Sequence, residues 1–184
     1  EKTLEDKICD YMSTWFIPMR QQWSVCMKKR IDIVLIHRDE PNYKFGLEIK
    51  NNGCKHGKDL SAWCVQASNY NNYQFCNKQT GEIYSRFPIL VYPTISHDLM
   101  QYVDPNGHQH DKYHDHNNIN SFLAGAFEIG EIRKHKPYNR ECVKLSFNNE
   151  TLWKEYNLPQ PYEQVNGGAY ERTVKRLNKK YGSI

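Results

Sequence analysis

The sequence predicts an α/β fold, a mixed central β-sheet flanked by helices, and three observations carry that prediction. The chain opens on an apolar stripe at helical spacing. Two β-branched apolar segments joined by a turn-forming tetrapeptide come next. A second helical stripe then separates them from another short apolar run. At 184 residues, with 39% hydrophobic and 25% charged, the chain can bury a real core and is not a disordered polymer. No repeat or low-complexity linker divides it, so we expect one domain over residues 1–184.

Thr3-Leu4-Glu5-Asp6 has an acid three residues after Thr, as in a capping box. Leu4, Ile8, Met12 and Trp15 then recur at helical spacing, which predicts an amphipathic helix ending before Pro18, with Glu5 beside its apolar stripe. Trp23 to Met27 reads as a short strand. Arg30 to Ile36 is apolar on both faces and reads as a buried strand; Lys44 to Lys50 reads as the next, with Phe45, Leu47 and Ile49 on one face. The turn Asp39-Glu40-Pro41-Asn42 makes these two an antiparallel hairpin. After a polar loop over Asn51 to Lys58, Asp59 or Ser61 is expected to cap a second helix with the stripe Leu60, Trp63, Cys64 and Ala67. Phe87 to Tyr92 is a further buried strand. A helix between strands implies a mixed sheet.

The second half is less regular. Leu99 to Val103 reads as the end of a short helix. Asp104 to Asn118 reads as a polar loop. Phe122 to Ile132 fits helix and strand equally, and Val143, Leu145 and Phe147 alternate like a strand. From Tyr170, Val174, Leu177 and Tyr181 form a helical stripe.

The net charge of +4 is mildly basic, and the basic residues cluster. Lys28-Lys29-Arg30 is one group, Arg133-Lys134-His135-Lys136 another, and the last helix carries Arg172, Lys175, Arg176, Lys179 and Lys180. Such clusters, with 13 tyrosines, suit a polyanionic partner. The last helix has two readings, contact with phosphates or a solvated face. The six cysteines are scattered without a C-x-x-C pair, no secretory signal precedes the first helical pattern, and no apolar run is long enough for a bilayer. We therefore expect an intracellular protein with reduced thiols and no membrane partner.

The chemistry concentrates in Asp32 and in Glu48-Ile49-Lys50. Residues two apart on a strand share a face, so Glu48 and Lys50 project together while Leu47 and Ile49 enter the core. Two carboxylates and an ammonium on adjacent buried strands are costly without a partner, and a divalent cation would offset that cost. Mg²⁺ prefers a few carboxylate oxygens and keeps several waters. The carbonyl of Ile49 leaves the same strand sideways and is a further candidate ligand.

These residues resemble the PD-(D/E)XK nucleases. The matching stretches read Arg30-Ile31-Asp32-Ile33 and Gly46-Leu47-Glu48-Ile49-Lys50, with Ile31 where the family name has Pro. Gln66-Ala67-Ser68-Asn69-Tyr70 is similar to the Q-x-x-x-Y motif of the RecB-like branch, and Glu5 resembles the acid many members carry on their first helix. The resemblance implies a restriction-endonuclease-like αβββαβ core over about 3–92, with an extension over about 93–184. It implies a DNA nuclease using Mg²⁺ or Mn²⁺, in which Asp32, Glu48 and the Ile49 carbonyl hold the metal. Lys50 then acts on water and phosphate, with Glu5, Gln66 and Tyr70 beside them. Lys28, Lys29, Arg30, Lys175, Arg176, Lys179 and Lys180 would contact nucleic acid. Endonuclease or exonuclease action, DNA or RNA, and a homodimer or larger nuclease complex all stay open.

Two rival readings stand beside this one. A nuclease-derived module would bind nucleic acid or protein without cutting; the intact Asp32, Glu48 and Lys50 argue against it. A zinc-structured or metal-storing protein would centre on His108, His110, His114 and His116, which also fit a solvated loop.

Overall fold

Strands that are apolar on both faces need cover on both faces. The computed structural model describes residues 2–50, 57–92, 101–103, 109–111, 125–135, 142–147, 150–156 and 167–182. Its elements run α1 (Lys2–Met12), β1 (Phe16–Ser24), β2 (Arg30–His37), β3 (Lys44–Ile49), α2 (Gly57–Asn69), a 3-10 turn (Tyr70–Asn72), β4 (Phe75–Cys76) and β5 (Ile89–Tyr92). They continue with β6 (Gln101–Val103), β7 (Gln109–Asp111), β8 (Gly130–His135), β9 (Cys142–Phe147), β10 (Glu150–Tyr156) and α3 (Gly167–Tyr181). Eight strands form one sheet in the order β10-β9-β8-β5-β3-β2-β1-β4, and β6 pairs with β7 apart from it. β3 with β5 and β5 with β8 are parallel; every other pair in the sheet is antiparallel, so the sheet is mixed.

One core joins Ile8, Cys9 and Met12 of α1 and Ala169, Tyr170 and Leu177 of α3 to Ile33, Leu35, Phe45 and Leu47. The other joins Trp63, Cys64 and Ala67 of α2 to Ile31, Val34, Ile89 and Val91. Burying these side chains removes apolar area from water on both faces, the main favourable term in folding. β8, β9 and β10 continue the same sheet, so the expected extension is structurally continuous with the first half.

Several boundaries differ from the sequence reading. The first helix ends at Met12, short of Trp15, whose ring instead packs edge-on against Trp153 at 5.5 Å. The strand expected at Trp23 to Met27 is β1, which starts at Phe16 and includes Pro18. Trp15 accepts from the Arg38 N–H, and ladder bonds alternate along an antiparallel pair, so the Pro18 nitrogen faces away from β2. β4 pairs only with Trp23 and Ser24, so Pro18 lies on an open edge of the described sheet, where its missing N–H breaks no ladder bond. α2 begins at Gly57, so neither Asp59 nor Ser61 caps it. Gln101–Val103 is a strand paired with β7 and not the end of a helix; residues 99–100 lie outside the described residues. The stretch 122–132 fitted two periods because it changes element: 125–127 is a helical turn, and β8 starts at Gly130.

Two tethers place α3. The Lys44 N–H donates to the Tyr170 hydroxyl at 2.9 Å, where β3 begins. At its other end, Arg86 donates to the carbonyls of Tyr181 (3.1 Å), Gly182 (3.3 Å) and Asn71, capping carbonyls that a helix end leaves unpaired.

Candidate functional site

Asp32 sits where the β2–β3 ladder stops. The pairing runs from Ile36 opposite Lys44 to Ile33 opposite Leu47. Two residues past Leu47, the Ile49 N–H donates to Asp32 Oδ2 at 2.8 Å, so a carboxylate takes the place that the Ile31 carbonyl would hold in a continued ladder. In an antiparallel ladder the N–H and C=O of one residue point the same way, which aims the Ile49 carbonyl at the same gap.

Glu48 is 2% exposed. Its Oε1 accepts from Gln66 Nε2 at 2.7 Å and pairs with Lys50 Nζ at 2.9 Å. Its Oε2 is buried with no hydrogen-bond partner among the described residues. Burial, then the nearby Asp32 charge, push the Glu48 carboxyl up to about 7, against the pull of Lys50. Gln66 also donates to the Tyr70 hydroxyl at 3.0 Å, and Tyr70 donates to the Arg30 carbonyl at 3.1 Å. Gln66 and Tyr70 are one turn apart on adjoining helical elements, so both reach the strand ends from the α2 side. Burial raises the Tyr70 phenol far above its ordinary value, so it stays a neutral donor.

Glu5 approaches from α1. Gln21 Nε2 donates to Glu5 Oε2 at 3.2 Å, and Arg20 binds Asp6. Burial, and to a smaller extent Asp32, raise the Glu5 carboxyl, while Arg20 opposes the rise. Arg20 opposite Ile33 and Gln22 opposite Ile31 leave Gln21 beside Asp32. Both strands slip by one face at that rung. Ile31 belongs to the α2-side core and Ile33 to the α1-side core, although they are two apart. Arg20 and Gln21, though adjacent, both reach α1, and Gln22 turns back to Tyr84. Gln21 has φ +52°, the left-handed backbone that makes the slip.

Sequence reasoning missed Gln21, because nothing in the residue type Gln signals a left-handed turn. It also missed Ser24, fully buried, whose Oγ accepts from the N–H groups of Lys28 (3.2 Å) and Lys29 (3.0 Å) and fixes the β1–β2 loop.

The basic clusters fall at two ends of the sheet. Lys28, Lys29 and Arg30 lie where β2 begins, the end that also holds Asp32 and the carboxyl end of β3. Arg30 stacks over Trp23 at 5.7 Å. α3 is tethered at the opposite end, where β3 begins, so Lys175, Arg176, Lys179 and Lys180 are not gathered at the site. Lys180 pairs with Glu128 at 2.7 Å, and Arg176 lies over the Phe147 ring at 5.2 Å. His108, His114 and His116 lie outside the described residues; His110 falls in β7.

The donor set suits a hard cation that keeps its waters: two carboxylates and a backbone carbonyl, with one carboxylate oxygen buried and unpartnered. Among the described residues no three His, Cys, Asp or Glu side chains gather closely enough to hold a metal ion by themselves. Cys9, Cys26, Cys64 and Cys76 form no disulfide among the described residues. No helix among the described residues is long and apolar enough to cross a membrane. Compared with protein-family models, curated proteins and solved structures, the chain matches none.

Proposed function

We propose that the chain is a divalent-metal-dependent nuclease of the PD-(D/E)XK type that hydrolyses phosphodiester bonds in DNA. The observation that carries this reading is Glu48 Oε2, a buried carboxylate oxygen without a partner among the described residues, on a strand end shared with Asp32 and Lys50. A structural ion-pair network would satisfy both oxygens; a cation site leaves one open. The order helix, three antiparallel strands, helix and a strand parallel to β3 supports the restriction-endonuclease-like core. Asp32, Glu48 and the Ile49 carbonyl would hold Mg²⁺ or Mn²⁺. When bound, the cation polarises a phosphoryl oxygen and lowers the pKa of a bound water.

The side chains supply the rest. Lys50 is partly exposed beside Glu48, so its ammonium can meet a phosphate oxygen and offset charge that develops there. Gln66 holds Glu48 by one oxygen and leaves the other for the cation. Tyr70 holds Gln66 in turn and anchors it to the backbone of β2. Lys28, Lys29 and Arg30, at the same end, would bind substrate phosphates. The test is incubation of the protein with linear, circular and branched DNA in Mg²⁺ or Mn²⁺, beside Asp32→Ala and Glu48→Ala. Cleavage by the wild type that both variants lose is the expected result. A wild type that neither cuts nor binds Mn²⁺ refutes the proposal.

A further inference from the structure

Gln21 is the one residue of β1 with a positive φ, +52°, a conformation costly for any side chain with a Cβ. The cost falls at a particular rung. Gln21 stands beside Asp32, and there both strands change the face to which they send side chains. In a regular strand Arg20 and Gln21 would point to opposite faces; here both reach α1. The strained turn therefore delivers the Gln21 amide to Glu5 Oε2, at 3.2 Å, on the rung where Asp32 leaves the ladder.

We infer that Gln21 is a positioning residue, which holds the Glu5 carboxylate at the Asp32 rung and so raises the affinity of the Asp32 and Glu48 carboxylates for a divalent cation. The inference rests on the reading of Asp32 and Glu48 as cation ligands. Gln21 touches no cation itself. It acts through Glu5, whose charge bears on Asp32, as residues behind the ligands tune the affinity of a metal site. A strained residue whose amide spans to another element beside a candidate ligand is an outlier that a plain edge strand does not call for.

The test uses the whole chain and Mn²⁺. Gln21→Gly removes the amide and also relieves the left-handed strain, so a merely structural role and a positioning role predict different things. The expected result is a Mn²⁺ affinity, by titration calorimetry, lower by about 10-fold, with a urea midpoint in EDTA that does not fall. Gln21→Asn tolerates the same backbone, but its amide is one methylene shorter, and it should show the same loss. In a Glu5→Ala background Gln21→Gly should cost nothing further, because the group it positions is gone. Unchanged Mn²⁺ affinity in Gln21→Gly, or an equal loss with and without Glu5, overturns the inference and leaves the nuclease reading standing. A wild type that binds no Mn²⁺ overturns both.

Discussion

Glu48→Gln should make the metal-free protein more stable while destroying its site. The carboxylate is almost wholly buried, and its pKa is raised from 4.5 to about 7. At about 1.4 kcal/mol per pH unit, that interval corresponds to about 3 kcal/mol of lost stability once the group is fully ionised. The sign follows from the raised folded-state value. Below about pH 4.5 the group is protonated folded or unfolded and costs nothing. Stability is lost as the pH climbs through 7. Glutamine keeps an oxygen for Gln66 and Lys50, but its NH₂ takes the buried place of Oε2, which returns about 1 kcal/mol of the gain. The net at pH 8 is about 2 kcal/mol, or about 4–8 °C in Tm for a domain of this size. Thermal unfolding in EDTA at pH 5 and pH 8 measures it: the variant should gain at pH 8 and lose most of that gain at pH 5. Added Mn²⁺ should raise the Tm of the wild type alone. A variant less stable than wild type at pH 8 in EDTA would show that the Glu48 charge is already satisfied by Lys50, and the argument for an open cation site would fail.

Lys50→Ala should lose cleavage by about 100- to 1,000-fold yet keep Mn²⁺, since an ammonium donates hydrogen bonds and ligates no cation; nicking of supercoiled DNA and calorimetry read the two halves. Exchanging Lys28 and Lys29 for Glu should weaken DNA binding and flatten its salt dependence, whereas the same change at Lys175 and Lys179 should do much less; filter binding across a salt series compares them. Gly46→Ala should destabilise by about 1–3 kcal/mol in urea, because its Cβ would meet Ile31 Cδ1 at 2.5 Å, Phe87 Cε2 at 2.7 Å and Ile89 Cδ1 at 2.8 Å. Burial holds the His37 pKa below 6.5, and its Nδ1 accepts from the Glu40 N–H at 3.1 Å, a bond that protonation breaks. Stability from His37 is therefore lost as pH falls below about 6.5, and the urea midpoint of His37→Gln should fall less than that of wild type between pH 7 and pH 5.

The parts legible in the sequence were those in which one period governs a whole element. Arg30 to Ile36 and Lys44 to Lys50 are apolar on both faces because helices cover both faces, and the turn between them is written in Asp39-Glu40-Pro41-Asn42. The placing of Asp32, Glu48 and Lys50 at one end of adjacent strands follows from the antiparallel hairpin alone. β1 was harder because it lies near the edge: Ile17 is exposed, Gln22 and Ser24 are buried, and a proline sits inside it, so polarity does not track burial. α3 was legible as a helix from Val174, Leu177 and Tyr181, but its position was not. That depends on Tyr170 meeting Lys44, 126 residues away, and on Arg86 meeting Tyr181. The rung at Gln21 was invisible because strain is a property of the assembled sheet.

The order of strands bears on where the chain can be cut. Every residue of the candidate site precedes residue 71, yet β5 stands in the middle of the sheet with β8 hydrogen-bonded along its far side. A fragment ending near Tyr92 would turn β5 into a bare edge, without the pairing of Leu90 and Val91 to Gly130 and Glu131. It would also lose Ala169, Tyr170 and Leu177 from the cover over Phe45 and Leu47. Exposed apolar edges recruit other chains, so such a fragment should self-associate. The candidate site is local to the first half of the chain, whereas the sheet that carries it is completed only by the second.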